Sequence, residues 1–165
     1  MSRHRFHGDP ERFTVLADFV ADRYWHTITY IADVAGGQGM LTRLLTKKYN
    51  YDCEVIDPRI HVLKGVKGQA REFDATIATY YDLIIGLHPD EATRAVAEAA
   101  LIRPTILVPC CNFWSEEKLG QEELLEAIET YYQEHGVLFE RVKFEFKGPK
   151  NVGLVSEPPS GGSTA

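Results

Sequence analysis

The chain has 165 residues, of which 44% are hydrophobic, 25% charged and 11% aromatic, and this excludes a disordered chain or a fibre in favour of one soluble globular domain. No apolar run approaches the roughly 18 residues needed to span a bilayer, and residues 1–13 are basic without an apolar segment behind them, so no secretory signal is expected. A net charge of -6 argues against wholesale nucleic-acid binding, and three cysteines (Cys53, Cys110, Cys111) make no disulfide framework and point to a reducing, cytoplasmic compartment.

Asp9-Pro10 reads as a helix start, with Asp9 as N-cap, and Phe13, Leu16, Ala17, Val20 and Tyr24 continue at helical spacing to about Trp25. Ile28 to Val34 is rich in β-branched residues and reads as a strand. It runs into the glycine-rich turn Ala35-Gly36-Gly37-Gln38-Gly39, and Met40, Leu41, Leu44 and Leu45 then follow at helical spacing. Cys53 to Ile56 is a second strand, stopped by Asp57-Pro58. Arg59 to Tyr80 reads as a loop or short helix with a weak third strand before Asp74.

Asp82 to Leu87 is a buried strand ended by His88-Pro89. Asp90 to Leu101 is alanine-rich and helical, with Asp90 as its cap, and Thr105 to Val108 is a further buried strand broken at Pro109. Gly120 to Glu134 is an amphipathic helix with Gly136 as C-cap. Val137 to Phe146 and Val152 to Val155 form a hairpin around Gly148-Pro149-Lys150-Asn151. Residues 158–165 read as a low-complexity, disordered tail behind one domain spanning 1–157. Strands alternating with helices imply an α/β fold: a doubly wound, mostly parallel sheet of about seven strands with an antiparallel terminal hairpin. Ligands bind such sheets outside the carboxyl ends of the strands.

Two features at that end carry chemistry. Glycines after the first strand let the backbone approach a ligand, and the following helix offers free N–H groups. Asp57, twenty residues on, ends the second strand, where a carboxylate can accept hydrogen bonds from ribose hydroxyls. Strand, glycine loop, helix, strand and acid in this order favour a nucleoside cofactor. A dinucleotide-binding oxidoreductase needs a third glycine at position 42, where Thr42 stands. No CxxC or HxxxH pair occurs, so no metal site is expected.

At these residues the chain resembles the class I S-adenosylmethionine (SAM)-dependent methyltransferases. Asp33-Val34-Ala35-Gly36-Gly37-Gln38-Gly39 is similar to their first motif, (D/E)-x-G-x-G-x-G, with Ala35 in place of the first glycine. The resemblance implies that Asp33, Ala35, Gly36, Gly37 and Gly39 cradle the methionine part of SAM, that Asp57 holds the ribose, and that Asp74 lies at the adenine amine. It further implies that the strand ending Gly86-Leu87-His88-Pro89 faces the methyl group. Gly86-Leu87-His88-Pro89 together with Pro109-Cys110-Cys111-Asn112 is similar to a branch that includes tRNA 2′-O-methyltransferases of the Trm-thirteen type. Asp90-Glu91 departs from the Cys-Gly usual there, and no added zinc- or RNA-binding domain is evident.

Methyl transfer to an acceptor needs alignment, exclusion of water and removal of a proton. His88, at a strand's carboxyl end, is the candidate general base, and Cys110 is the alternative catalytic side chain. Asn112, Phe113 and Trp114 are candidates for the substrate mouth. RNA is the acceptor expected first, held through the basic stretch carrying Arg59, Lys64, Lys67 and Arg71. A small-molecule acceptor, or a SAM-binding module or partner subunit without transfer activity, is the alternative.

Overall fold

The computed structural model describes residues 9–160; the calls on residues 1–8 and on 161–165 of the tail lie outside them. In chain order the elements are α1 (Glu11–Arg23), β1 (Tyr30–Val34), α2 (Met40–Tyr49), β2 (Asp52–Ile56) and β3 (Gly68–Gln69). A 3₁₀ helix (Ala75–Tyr80), β4 (Leu83–Leu87), a 3₁₀ turn (Asp90–Ala92) and α3 (Thr93–Ala99) follow. The chain closes with β5 (Thr105–Val108), α4 (Gln121–Glu134), β6 (Leu138–Lys143) and β7 (Val152–Glu157).

The seven strands form one sheet in the order β3-β2-β1-β4-β5-β7-β6. The pairs β1–β2, β1–β4, β2–β3 and β4–β5 are parallel, and β7 is antiparallel to both β5 and β6. This is the doubly wound, mostly parallel sheet with an antiparallel closing hairpin that the sequence pattern implies. β7 lies between β5 and β6, so the hairpin closes one edge with its second strand innermost.

Side chains on a strand alternate between faces, and the inner strands bury both. Ile31 of β1, Cys53 of β2, Ile85 of β4 and Val108 of β5 pack with Leu16 and Val20 of α1 and Leu41 and Leu45 of α2. Ala32, Val34, Ile56, Ile84 and Leu107 pack on the other face with Val96 and Ala97 of α3 and Leu124, Ile128 and Tyr132 of α4. The edge strand β6 is mostly exposed on both faces. It is held to α4 by Arg141, which reaches Glu122 at 2.8 Å and Glu129 at 2.6 Å.

Several boundaries differ from the sequence reading for physical reasons. Asp9 does cap α1, its Oδ1 accepting the Glu11 amide at 3.0 Å, but the helix stops at Arg23 and leaves Trp25 exposed. The third strand is only two residues long. Asp90 does not cap the helix over 90–101. It sits at φ 50, its carbonyl accepts the Thr93 hydroxyl, its carboxylate turns away, and α3 begins only at Thr93. β6 ends at Lys143. Beyond it Phe144 donates its amide to the Asn151 carbonyl at 2.8 Å, and Phe144 and Phe146 turn into the core beside α1.

Candidate active site at the carboxyl ends of the strands

β1, β2, β4 and β5 are parallel, so the segments that leave them emerge on the same side of the sheet. Two cavities open there and share Ala35. The smaller, about 150 Å³, is walled by Ile56, Pro58, Phe73, Pro89, Ala92 and Ala95, with Asp57 and Arg59 at its polar edge. The larger, about 580 Å³, lies between the glycine loop, the start of α1, the ends of β4 and β5, and the β6–β7 loop.

The glycine loop is shaped by what its side chains would strike. A Cβ at Gly36 would lie 2.5 Å from the Asp33 carboxyl, and one at Gly39 (φ 82) would meet Val66 at 2.6 Å and Val55 at 2.9 Å. Ala35, standing where the motif carries its first glycine, adopts φ 55 all the same, and its amide is bonded to Ile56 O at 2.8 Å. The position therefore demands the left-handed backbone whatever residue fills it.

Asp33 is buried and accepts the Thr42 hydroxyl at 2.8 Å. Burial is the main reason its carboxyl is pushed up to about 7. The hydrogen bonds from Thr42 oppose that shift, and the nearby charge of Asp57 adds to it. Asp57 accepts the Gly37 amide at 3.2 Å and the Arg59 amide at 2.9 Å, tying the end of β2 to the glycine loop. Asp33, Ala35, Gly36, Gly37 and Leu87 line the larger cavity, and Ala35 and Asp57 the smaller. Gly39 turns toward Val66. Gly86 is a packing position, since a Cβ there would lie 3.0 Å from Val96.

Asp74 lines neither cavity. It caps the 3₁₀ helix by accepting the Thr76 amide at 2.7 Å, while its neighbours Glu72 and Phe73 line the smaller cavity.

His88 also has a left-handed backbone (φ 50) and lines the larger cavity. Its Nε2 lies 2.8 Å from the Lys150 carbonyl, which only accepts, so Nε2 carries the proton and Nδ1 is the basic nitrogen. Burial holds its pKa below the ordinary value, opposed by the bond to Lys150. The imidazole is therefore neutral at pH 7. Cys110 donates to Asp90 Oδ1 at 2.9 Å, and burial, followed by Asp90, pushes its thiol well up. Cys110 is thus a poor nucleophile in this state. Asn112 braces its own loop, accepting the Trp114 and Ser115 amides, and Trp114 lies under the Arg94 guanidinium and edge-to-face with Tyr131. Neither lines the cavity.

The basic stretch does not form one rim. Arg59 lines the smaller cavity. Lys64 lies in the turn beside the glycine loop, where the Leu63 amide meets the Gln38 carbonyl. Lys67 is paired with Asp52 at 2.9 Å, at the amino end of β2, and Arg71 shares a separate hollow with Asp52 and Lys67. β3 pairs Gly68 with Val55 and Gln69 with Ile56, so the segment from 57 to 67 folds back along β2 and Lys67 turns toward Asp52 while Arg59 stays at the cleft.

Residues the sequence reading missed complete the larger cavity. Arg12 of α1 donates through Nη1 to the Asp9 carbonyl, and its buried Nε has no hydrogen-bond partner among the described residues. Lys147 and Lys150 come from the β6–β7 loop. That loop is fastened to α1 by the Lys147 amide donating to Asp9 Oδ2 at 2.8 Å. One signal was available: a strand placed parallel to β5 must deliver its following loop to the cleft.

No family profile and no curated protein matches the sequence. Solved structures do match over nearly the whole chain. A provisionally assigned S-adenosyl-L-methionine-dependent methyltransferase from Methanococcus maripaludis is 13% identical, with TM-score 0.56 and 100% of each chain covered. A provisionally assigned hemolysin from Streptococcus thermophilus is 12% identical, with TM-score 0.60, covering 99% of this chain and 73% of that one. The plantazolicin methyltransferase BpumL, in complex with S-adenosylhomocysteine, is 13% identical, with TM-score 0.54, covering 90% and 86%. At such identities the likeness is one of fold, and the fold is the Rossmann-like sheet on which class I methyltransferases are built.

Proposed function

We propose that this chain binds S-adenosylmethionine across the two cavities and transfers its methyl group to a small acceptor held in the larger one. The observation that carries the reading is the shared cleft. A glycine loop with room for a ligand backbone and an apolar slot edged by the Asp57 carboxylate meet at Ala35, at the carboxyl ends of β1 and β2. The slot, walled by Phe73, Pro58, Pro89 and Ala92, suits a flat nucleobase, and Asp57 stands where a ribose would present its hydroxyls. Gly37, beside which a side-chain carbon would meet nothing within 4 Å, leaves space for the amino-acid part near Asp33.

Bound S-adenosylmethionine supplies an electrophilic methyl group. The protein's own part is then alignment and proton removal. His88 is neutral, is fixed through Nε2–H to the Lys150 carbonyl, and has a basic Nδ1 to take the acceptor's proton. Phe146, Leu87 and Met40 restrict water on the cavity wall. A second reading, with RNA as acceptor, rests on Arg59 and Lys64 near the cleft. The dispersal of Lys67 and Arg71 makes it the weaker one.

Calorimetry with S-adenosylhomocysteine and with NAD tests cofactor choice: binding of NAD alone overturns the reading. Incubation with methyl-labelled S-adenosylmethionine and separated small-molecule and RNA fractions of a cell extract then tests the acceptor. Label in the small-molecule fraction is the expected result and label in RNA selects the second reading. Binding without transfer to either makes the chain a SAM-binding module or partner subunit.

A further inference from the structure

The methyl-transfer reading leaves one cluster in the larger cavity without a task. Asp90, Cys110 and Cys111 each offer a donor atom there, and the carboxylate oxygen and two sulfurs all lie within 4.8 Å of one another. The cluster joins two separate segments, the turn after β4 and the turn after β5. Asp90 leaves the usual use of a carboxylate at a helix start. Its backbone stands at φ 50 and its Oδ1 takes the Cys110 thiol at 2.9 Å instead of an α3 amide. Non-glycine residues in that region cost free energy, and such positions gather where function needs a particular direction. On the far side, the Lys150 ammonium lies 3.6 Å from the Cys111 sulfur.

We propose that Asp90, Cys110 and Cys111 form a site for a zinc-class divalent cation on the wall of the larger cavity. Two thiolates and a carboxylate are a donor set that zinc accepts in tetrahedral geometry. Three protein ligands leave a fourth position, and because all three line the cavity, that position belongs to water or to an acceptor heteroatom. The charges also close: two thiolates, one carboxylate and a divalent ion sum to minus one, and Lys150 beside Cys111 neutralises the remainder. The absence of CxxC or HxxxH spacing does not bear on this set, because the fold, not the local sequence, brings residue 90 to residues 110 and 111.

The test uses the full chain, reduced and freed of metal with a chelator. Titration with Cd²⁺, read by thiolate-to-metal charge-transfer absorption, is expected to saturate at one equivalent. Zn²⁺ should displace it, and competition with a chromophoric chelator gives the zinc affinity. Cys110→Ser combined with Cys111→Ser should abolish the band, and Asp90→Asn should weaken binding more than about tenfold. Lys150→Met, outside the ligand set, should cost about tenfold or more. Cys53, buried on β2, is the one remaining thiol of the chain, so a band that persists in the double variant overturns the site. No charge-transfer band in the unaltered protein overturns it as well. A readout independent of the variants' folding is protection of two thiols of the unaltered chain from alkylation by Zn²⁺, reversed by chelator; equal alkylation with and without Zn²⁺ also overturns the proposal. Binding of S-adenosylhomocysteine, measured separately, distinguishes failure here from failure of the methyl-transfer reading.

Discussion

The two lobes of the cleft are built on different principles. The smaller is local: Ile56, Asp57, Pro58 and Arg59 are consecutive, Glu72 and Phe73 are adjacent, and one turn of chain from Pro89 to Ala95 closes it. Of its charged residues, Asp57, Arg59, Glu72 and Glu91, Asp57 is tied to two backbone amides. The larger lobe is assembled from α1, the glycine loop, two strand ends and the last hairpin, and it holds Arg12, Lys147 and Lys150 with no carboxylate paired to any of them among the described ion pairs.

Substitutions can pull the lobes apart. His88→Gln should act on the larger lobe alone, lowering turnover by about 10²–10⁴-fold while leaving S-adenosylhomocysteine affinity unchanged in calorimetry. Because burial lowers the His88 pKa, the unaltered protein should keep its rate to a pH below the usual histidine midpoint and lose it beneath that.

Asp33, which borders the larger lobe, should show itself in stability. Its folded-state pKa of about 7 lies above the ordinary 3.8, so its stabilising contribution is full below the lower value and lost as pH rises through the upper one. Between pH 4 and 8 the unaltered chain should lose on the order of 3 kcal/mol relative to Asp33→Asn, measured by urea unfolding. Parallel pH profiles for the two proteins would show that Asp33 stays ionised when buried.

Asp57→Ala addresses the smaller lobe. It removes a charge-assisted contact and should weaken S-adenosylhomocysteine and 5′-methylthioadenosine alike, by roughly 1.5–3 kcal/mol. A loss confined to S-adenosylhomocysteine would move Asp57's role to the amino-acid end. The smallest effect belongs to the shared wall. Ala35→Gly should relieve the left-handed strain and raise stability by about 1 kcal/mol, with affinity intact; a lower melting midpoint would show that the Ala35 methyl is needed by both lobes.

The lobes also differ in how far the sequence discloses them. The β1–loop–α2 unit and Asp57 were legible because glycines forced by Asp33, Val55 and Val66 sit at fixed distances along one stretch of chain. β3 was nearly invisible, since two residues, Gly68 and Gln69, carry no alternation. Charge spacing along the basic stretch says nothing of direction: Arg59 lines the smaller cavity, whereas Lys67 is paired with Asp52. Arg12 and Lys147 were hidden because nothing short-range links them. Their proximity follows from where β7 enters the sheet.

That entry has a kinetic consequence. β7 pairs with β5 on one side and β6 on the other, so β6, though synthesised earlier, has no sheet partner until the last strand arrives. The Asp9–Lys147 bond, which spans 138 residues, waits on the same event. Contacts of such sequence separation form late and slowly. During synthesis the smaller lobe can take shape once α3 has docked, whereas the chamber beside it acquires its lysines and its tether to α1 only after the β6–β7 hairpin has been made. A chain cut short before Val152 would retain the walls of the smaller cavity and lack a closed chamber next to it.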